Sequence, residues 1–334
     1  MKGWRNLSHA TSKQCCNTAV KSDKSSRWSR IAAIQYSVSD SEISASAKPK
    51  MWSVMEHVRM LSSSASPSSP SSSSISETEV AKFSELSKTW WDPKENPLIG
   101  MNGIRVGYIM DQMSSERSLK GKRALDVGCG GGLLSESLAR LGANVTGVEP
   151  SQELAKQARL HAQLDPRTRT IDYREGWTVE QLAAEVEETN AEKYDMICCL
   201  EVIEHVTAVD SILSSMKRLL KPDGKLFLST INRTIKSKAV AIVGAEYIMR
   251  YLPVGTHDWY QFKSPDELRV LVEANGLEEV DVQGMVLTSP PFQGRWDWAL
   301  STDDTDINWI GTYQLASGEA DTASSSQRNG SSPT

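Results

Sequence analysis

The sequence predicts an α/β fold in which a mostly parallel, seven-stranded sheet carries helices on both faces and ends in an antiparallel hairpin. Short apolar segments alternate with segments whose apolar residues recur at helical spacing. Strands that alternate with helices in this way form parallel sheets. A glycine-rich turn follows the first strand, and the last two strands follow each other without a helix between them. That final break in the alternation predicts the hairpin.

Each element has a local signal. Strands are predicted at residues 124–127, 145–148, 170–173, 194–202, 225–231, 280–287 and 308–315. Helices are predicted at residues 133–141, 152–164, 211–220 and 265–275. The last helix has a cap residue in Ser264 and a proline at its first position. The Pro-Asp-Gly sequence at 222–224 predicts a turn before the fifth strand.

Two segments lie outside this alternation. Residues 77–91 and 102–113 have helical spacing and precede the first strand, so they form a helical lead-in. Residues 234–260 form an insertion between the fifth strand and the last helix. We therefore expect one domain at residues 77–317, followed by a polar tail at 318–334.

The first 76 residues differ in composition from this domain. Residues 1–74 contain ten Lys and Arg against four Asp and Glu, and they end in a serine run broken only by Ala and Pro. Such a segment buries too little apolar surface to fold, so we expect it to be disordered. Its basic, serine-rich composition is typical of a mitochondrial or chloroplast transit peptide. The alternatives are a plain disordered tail and a later start at Met51 or Met55.

Charge and cysteine content exclude several function classes. The chain from residue 75 onward is net acidic and has no basic stripe, which argues against a nucleic-acid partner. No apolar run reaches the roughly 18 residues that cross a bilayer. The cysteines form no metal-binding pair, and Cys198 and Cys199 lie in an apolar strand. We expect both to be buried packing residues.

The glycine-rich turn predicts a nucleotide-type ligand. Asp126, Gly128 and Gly130 lie between a strand and a helix, where glycines let a ligand approach the backbone. A dinucleotide fingerprint is disfavoured because the positions that need its third small residue hold Leu133 and Ser135. Glu149 follows the second strand, where a carboxylate accepts from two ribose hydroxyls. The alternative is an ordinary structural glycine turn.

These motifs resemble those of class I S-adenosylmethionine-dependent methyltransferases, which have a Rossmann-like fold. The resemblance is carried by Leu125-Asp-Val-Gly-Cys-Gly-Gly-Gly132, Gly147-Val-Glu149 and Leu220-Lys-Pro-Asp-Gly224. It implies that Gly128, with Asp126 and Gly130 beside it, contacts the methionine part of the cofactor. It also implies that Glu149 holds the ribose and that Leu200 lies against the ligand.

A narrower resemblance covers residues 81–316. Its motifs are Trp90-Trp91-Asp92, Asn102-Gly-Ile-Arg105, Leu200-Glu-Val-Ile-Glu-His205, Ser229-Thr-Ile-Asn-Arg233, Val243-Gly-Ala-Glu-Tyr-Ile248 and Gly255-Thr-His-Asp258. Together they resemble the O-methyltransferases of ubiquinone biosynthesis, which methylate ring hydroxyls of polyprenylated catechol and quinol intermediates. The resemblance implies a peripheral protein on the matrix side of the mitochondrial inner membrane, within a complex of biosynthetic proteins. It also implies Mg²⁺, and a place for Arg105 at the cofactor carboxylate.

Glu201, Glu204 and His205 are the candidate catalytic residues and metal ligands. They lie just beyond the fourth strand and share one face if the segment is helical. Oxygen ligands suit Mg²⁺ or Mn²⁺, and the imidazole leaves zinc or iron open. A cation that binds two adjacent ring oxygens would stabilise the phenolate, since a phenol ordinarily titrates near 10. The alternative is that His205 acts as a general base without a metal.

The insertion at 234–260 and the His257-Asp258 pair within it each have two interpretations. Lys236 and Lys238 precede apolar residues that include Ile248 and Leu252, a pattern that suits a helix on a membrane surface or a lid over the pocket. The His257-Asp258 pair is either an acid–base pair or part of a turn, and we assign it no catalytic role. We expect the neighbouring tryptophans at 90 and 91 to pack in the core, and a wall of the substrate pocket is the alternative.

Two other functions remain open at this point. The same fold hosts methyltransferases for other phenols and acids. A scaffold that retains cofactor binding without catalysis is the second alternative. The scaffold has no need of both the glycine turn and the Glu-x-x-Glu-His sequence, so these residues favour an enzyme.

Overall fold

The computed structural model describes residues 74–113, 118–239, 258–289 and 297–317. The predicted leader, the polar tail and most of the insertion, including Ile248, Leu252 and His257, lie outside the described residues.

The helices and strands follow the order expected from the sequence, with three additions that were not predicted: a helix at Val179–Thr189, a short helix at Ile235–Ser237 and a strand at Trp298–Ser301. The helices are α1 (Glu77–Glu85), α2 (Leu98–Gln112), α3 (Leu133–Arg140), α4 (Gln152–Ala162), α5 (Val179–Thr189), α6 (Val209–Leu219), α7 (Ile235–Ser237) and α8 (Pro265–Ala274). The strands are β1 (Arg123–Val127), β2 (Asn144–Glu149), β3 (Asp172–Glu175), β4 (Tyr194–Leu200), β5 (Leu220–Ile231), β6 (Leu277–Leu287), β7 (Trp298–Ser301) and β8 (Asn308–Leu315). Short 3-10 turns lie at Leu86–Lys88, Ile203–His205 and Trp259–Gln261.

All eight of these strands belong to one sheet, in the order β3-β2-β1-β4-β5-β8-β6-β7. The pairs from β3 to β5 are parallel, and β8 pairs antiparallel with both β5 and β6. The predicted α/β fold with a C-terminal antiparallel hairpin is therefore confirmed. The eighth strand is β7, whose four residues pair with the end of β6 and are too few to show a clear alternation in the sequence.

Several boundaries differ from the predicted ones. Strand β6 begins three residues earlier than expected, at Leu277, and α1 ends at Glu85, six residues before the predicted end. Strand β3 begins two residues later than expected, at Asp172. Strand β5 begins at Leu220 and includes the residues predicted as a turn. Its pairing with β4 shifts in register there, since Tyr194 is opposite Leu220 while Met196 is opposite Lys225. The Pro-Asp-Gly sequence therefore forms an irregularity within the strand.

The hydrophobic core lies on both faces of the sheet. Cys198 packs in the cluster on one face and Cys199 in the cluster on the other, as expected for successive strand residues. Both thiols are free and buried, which confirms their packing role. The N-cap Ser264 and Pro265 at the start of α8 are also confirmed. None of the helices in the described part of the chain is long and apolar enough to cross a bilayer.

Candidate active site

The glycine turn after β1 brings the backbone close to the carboxyl edge of the sheet. The amides of Gly128 and Cys129 donate to the carbonyl of Val148 at 2.9 and 3.1 Å, which fixes the turn beside β2. Gly128 and Gly130 have φ angles of 68° and 53°, in the region that favours glycine. A Cβ on Gly128 would lie 2.6 Å from a Val202 methyl carbon, so a side chain there would have to displace its neighbour.

Glu149 is buried at the end of β2, next to this turn. Its Oε2 accepts from the Gly130 amide and its Oε1 from the Ser151 amide, both at 2.9 Å. Burial raises the pKa of the Glu149 carboxyl to about 7. The two backbone hydrogen bonds hold the carboxylate at the edge of the sheet, where the sequence predicts contact with ribose hydroxyls.

Asp126 and Arg105 are two further buried charged residues at the same edge. The Ser135 hydroxyl donates to Asp126 at 2.6 Å, and burial raises the pKa of this carboxyl to about 6. Arg105 is 3 % exposed, and its Nε and Nη2 have no hydrogen-bond partner among the described residues. Its Nη2 lies 3.5 Å from Glu201 Oε1. A buried guanidinium with donors to spare is suited to an anionic ligand group such as a carboxylate.

These residues line one cleft, whose empty space is about 960 Å³ when the part open to solvent is included. All six predicted cofactor residues contribute to its wall: Arg105, Asp126, Gly128, Gly130, Glu149 and Leu200. Two of the three predicted catalytic residues, Glu201 and His205, line the same cleft. The structure thus brings the predicted cofactor residues next to candidate catalytic groups.

The expectation that Glu201, Glu204 and His205 share one helical face is wrong. Glu201 has a φ of 57°, a left-handed conformation that turns the chain sharply after β4, and helical geometry begins only at Ile203. Glu201 accepts from Ser229 Oγ at 2.7 Å and from Asn308 Nδ2 at 3.0 Å. The buried Glu204 accepts from Thr230 Oγ1 at 2.6 Å. The three side chains therefore have separate partners.

This arrangement does not fit a metal ion as it stands. In the ranges that the structure describes, no group of three or more His, Cys, Asp or Glu side chains is close enough to hold one. The residue types are those that bind divalent cations. Their present hydrogen bonds direct them to different neighbours.

Residues 74–91 form a strap over the cleft, which we call the N-terminal strap. Ile75 makes a β-bridge with Val206, and the Thr207 amide donates to the Ser74 carbonyl at 2.9 Å. At its other end, Trp91 Nε1 donates to the Gly131 carbonyl at 3.1 Å. The Trp91 ring stacks on His161 with centroids 3.6 Å apart. The strap is therefore attached at both ends to elements that carry the site.

The strap places its own side chains in the site. Phe83 and Trp90 line the cleft, and the Trp90 ring packs directly against Gly130 and Gly131. The expectation that Trp90 is an ordinary core residue is therefore wrong, because the ring forms part of the cleft wall. Its contact with the two glycines joins segments 40 positions apart, which no local pattern reveals.

Glu79 of the strap contacts His205. Its Oε2 lies 3.1 Å from His205 Nδ1, and its Oε1 accepts from Lys82 at 2.6 Å. The hydrogen bond with His205 lowers the pKa of the Glu79 carboxyl to about 2, and Lys82 adds to the effect. The Phe83 ring meets His205 edge to face, with centroids 4.8 Å apart. No local pattern in the sequence reveals this pair, since the two residues are 126 positions apart.

A further part of the wall comes from the start of α5. Trp177, Thr178 and Val179 line the cleft just after β3. They were not among the predicted site residues. They could have been predicted from their position after a strand, because ligands bind at the carboxyl ends of the strands in parallel sheets. Asp258, in contrast, caps the turn at Trp259–Gln261 by accepting from the Tyr260 amide at 3.0 Å.

Comparison with known proteins places this site in a family. The family model described as a methyltransferase domain matches residues 108–282. The ubiquinone biosynthesis O-methyltransferase of Cereibacter sphaeroides is 45 % identical over 248 residues, which cover 71 % of this chain and 96 % of that protein. The mitochondrial ubiquinone biosynthesis O-methyltransferase of Arabidopsis thaliana is 40 % identical over 285 residues, 82 % of this chain and 85 % of that protein.

Among solved structures, magnesium protoporphyrin IX methyltransferase from Synechocystis PCC 6803 with bound SAM aligns with a TM-score of 0.47. The two chains are 18 % identical, and the alignment covers 74 % of this chain and 100 % of that one.

Proposed function

The chain belongs to the family of ubiquinone biosynthesis O-methyltransferases, and from that premise we propose that it methylates ring hydroxyls of polyprenylated catechol or quinol intermediates on the route to ubiquinone. It is an S-adenosylmethionine-dependent methyltransferase. The observation that carries the proposal is a single cleft whose lining includes Arg105, Asp126, Glu149 and His205. Donor and acceptor can therefore meet in one cleft.

We propose that different residues at the sheet edge bind different parts of the cofactor. The Arg105 guanidinium binds the carboxylate of the methionine part, because its buried Nε and Nη2 lack other hydrogen-bond partners in the described part of the chain. Asp126 balances the amino group, and Glu149 accepts from the ribose hydroxyls. The glycine turn with Gly128 and Gly130, which lines the cleft, is the proposed backbone contact of the methionine part. S-adenosylmethionine supplies a methyl group on a positively charged sulfur.

His205 is the residue that we propose accepts the proton. The phenolic O–H gives its proton to the imidazole, and the oxygen forms a bond to the methyl carbon as the carbon–sulfur bond breaks. The electron pair of that bond stays on sulfur, which leaves a neutral thioether. A general base contributes about 10²–10⁴-fold in rate, and holding the reactants in line contributes further. His205 lines the same cleft as the cofactor residues.

Metal assistance is an alternative proposal, because a His205 nitrogen that binds a cation cannot also accept the phenolic proton. Glu201, Glu204 and His205 supply the ligand types that Mg²⁺ accepts, and we retain them as its proposed ligands. In the described conformation each has another partner, so we derive no step through the metal. A bound cation would require the three side chains to come closer together than they are in the described part of the chain. Loss of activity with a chelator, restored by Mg²⁺, would support metal assistance, and full activity after exhaustive chelation would remove Mg²⁺ from the reaction.

The location follows from the relatives and from the expected substrate. The relative from Arabidopsis is named mitochondrial, and we propose a mitochondrial location for this chain. A polyprenyl tail resides in a bilayer, so we propose peripheral contact with the inner membrane from the matrix side and membership of a biosynthetic complex. The basic and apolar insertion at 234–260 is the proposed contact. Replacing Ile248 and Leu252 by Asp is expected to reduce binding to anionic liposomes, and unchanged binding would leave only a lid role.

The decisive experiment gives the purified protein labelled cofactor and a catechol that bears a short prenyl tail. We expect label in the ring-methoxy product, with transfer reduced at least 10-fold in His205→Ala. A catechol without the tail serves as the comparison substrate. Label transfer to neither catechol would overturn the proposed function.

A further inference from the structure

We propose that the N-terminal strap is a gate for the cofactor and that the stack of Trp91 on His161 is the latch that keeps it closed. The strap opens to admit S-adenosylmethionine and to release the demethylated product, S-adenosylhomocysteine. The inference rests on the cofactor placement in the proposed function. It is independent of the identity of the methyl acceptor.

The strap covers the part of the cleft where the cofactor residues lie. The Trp90 ring packs on the glycine turn at residues 130–131. Earlier in the strap, Ser84 Oγ lies 2.8 Å from Ser151 Oγ, in the loop after β2. The two amides that hold the Glu149 carboxylate belong to these same two segments. The strap therefore covers both segments that position the proposed ribose-binding group.

The strap contributes very little to the hydrophobic core. None of residues 75–95, all of which the structure describes, is buried. Ser74 and Asn96, on either side of this range, are both buried. Asn96 Nδ2 also donates to the Trp90 carbonyl at 2.8 Å. A segment that buries few side chains opens locally at a low cost in free energy. The strap can therefore open as a unit between two fixed ends.

One contact of the strap is made with a rigid surface. The Trp91 and His161 rings are nearly parallel, with an interplanar angle of 9° and centroids 3.6 Å apart. His161 Nδ1 lies 2.7 Å from Glu136 Oε1. Glu136 is fully buried, and its other oxygen accepts from Arg140 Nη2 at 2.7 Å. The imidazole is therefore held in place from below, and the indole closes onto it.

The position of this latch predicts its effect on binding. Neither Trp91 nor His161 is among the described residues that line the cleft. The stack therefore holds the strap equally whether the cleft is empty or occupied. If a ligand passes only while the strap is open, the open fraction scales both kon and koff. Loosening the latch then speeds entry and release by the same factor and leaves Kd unchanged.

Trp91→Leu removes the stack and the hydrogen bond from Trp91 Nε1 to the Gly131 carbonyl. We expect kon and koff for S-adenosylhomocysteine to rise together by about 5- to 100-fold, with Kd within about twofold of the native value. Stopped-flow measurement of intrinsic fluorescence gives both rates, since Trp90 and Trp177 line the cleft. Lys88→Leu, at an exposed position of the same strap, is the matched control and should have native rates.

Two results for Trp91→Leu would overturn the inference. Native values of both rate constants would show that the stack does not control access to the cleft. A rise in koff alone, with binding weakened to the same extent, would show that the strap is a fixed wall of the site.

A second variant locks the strap in place of loosening it. The Ser84 and Ser151 hydroxyls are in contact, so cysteines at both positions can form a disulfide. In the Ser84→Cys, Ser151→Cys protein we expect both rates to be about 10-fold or more slower in the oxidised than in the reduced form. Each single cysteine variant is a control and should not respond to the reductant.

Equal rates in the oxidised and reduced double variant, with the disulfide verified by mass spectrometry, would also overturn the inference. The failure of the proposed function has a different outcome. If calorimetry detects no binding of S-adenosylhomocysteine to the native protein, the proposed cofactor site is wrong, and no rate comparison arises.

Discussion

Arg105 is a buried cation whose hydrogen-bonding capacity is only partly used within the protein. Its Nε and Nη2 have no hydrogen-bond partner in the described ranges, although Glu201 and Asp126 are near enough to offset its charge. A buried donor without a partner costs free energy, so such a group is expected to acquire one from the ligand. This makes Arg105 the most informative single residue for cofactor binding.

Arg105→Met is therefore expected to weaken binding of S-adenosylhomocysteine about 10- to 100-fold, because a hydrogen bond to a charged group contributes about 1.5–3 kcal/mol. Isothermal titration calorimetry measures the change. 5′-Methylthioadenosine, which lacks the amino-acid part, is the matched ligand and should bind the variant and the native protein equally. Equal weakening of both ligands would show that Arg105 supports the cleft and does not bind the carboxylate.

Glu149 predicts a pH dependence of cofactor binding. Burial raises the pKa of its carboxyl to about 7, and ribose hydroxyls donate to the ionised form. The raised pKa means that the carboxyl is mostly protonated at pH 6, and binding must then release a proton. We expect the affinity for 5′-methylthioadenosine to rise as pH increases from 6 to 8 and then to level off. This ligand has no amino group, so Asp126 contributes little.

The proton release can be measured directly by calorimetry at pH 6.5 in two buffers of different ionisation enthalpy. Glu149→Gln should remove the pH dependence and lower the affinity. An affinity that is constant between pH 6 and 8 in the native protein would contradict the assignment of Glu149 to the ribose.

At the scale of elements, the N-terminal strap and the glycine turn form one unit. Gly131 has no positive φ, so alanine is acceptable to its backbone, but a Cβ there would overlap the Trp90 indole. We expect Gly131→Ala to displace Trp90 and to speed amide hydrogen exchange across residues 75–91, with weaker cofactor binding as a consequence.

Trp90→Ala is the control background for this substitution. With the indole removed, Gly131→Ala has nothing to displace, so it should cause no further increase in exchange. Faster exchange in the double variant than in Trp90→Ala alone would show that Gly131 acts through the turn itself. The expected result would show that the glycine turn holds the N-terminal strap in place through Trp90.

The elements also show which features the sequence predicts and which it does not. The strands that carry Asp126, Glu149 and Leu200 have apolar runs ending in glycine or acidic residues, and these signals are local. The left-handed conformation of Glu201 is set by its contacts with Ser229, Asn308 and Arg105, which lie on other elements. The spacing of Glu201, Glu204 and His205 is compatible with a helix, but the observed segment is a sharp turn at Glu201 followed by a 3-10 turn.

The same reasoning explains why the strap was missed. Glu79 and Trp90 belong to a segment whose composition is that of an ordinary amphipathic segment. The roles of the two residues depend on contacts with residues that are distant in sequence. The sequence predicted the helix that carries Glu79, but this helix ends at Glu85 and Trp90 lies in a turn. The sequence contained no information about what the helix faces. Site residues on the sheet were predictable because parallel strands end at a common edge.

At the scale of the whole molecule, the lead-in helix α2 joins the N-terminal part to the C-terminal hairpin. Tyr108 lies three residues after Arg105 on this helix, and its hydroxyl donates to the carbonyl of Asp281 at 3.1 Å. The same hydroxyl accepts from Thr312 Oγ1 at 3.0 Å. Lys225 donates to the Gln112 carbonyl at the end of the helix. The position of Arg105 thus depends on β5, β6 and β8, far along the chain.

Two buried tyrosines allow a matched test of this connection. Tyr108 is 1 % exposed and has two hydrogen bonds to the hairpin, whereas Tyr313 is 0 % exposed and its hydroxyl has no partner among the described residues. Tyr108→Phe should lower the free energy of unfolding by about 1–3 kcal/mol, because it removes one partner of the half-buried Asp281 carbonyl and one of the buried Thr312 hydroxyl. Tyr313→Phe removes a hydroxyl that is already unpaired, so it should be neutral or stabilising. Urea denaturation of both variants measures the difference, and equal destabilisation would show that the Tyr108 hydroxyl does not hold α2 against the hairpin.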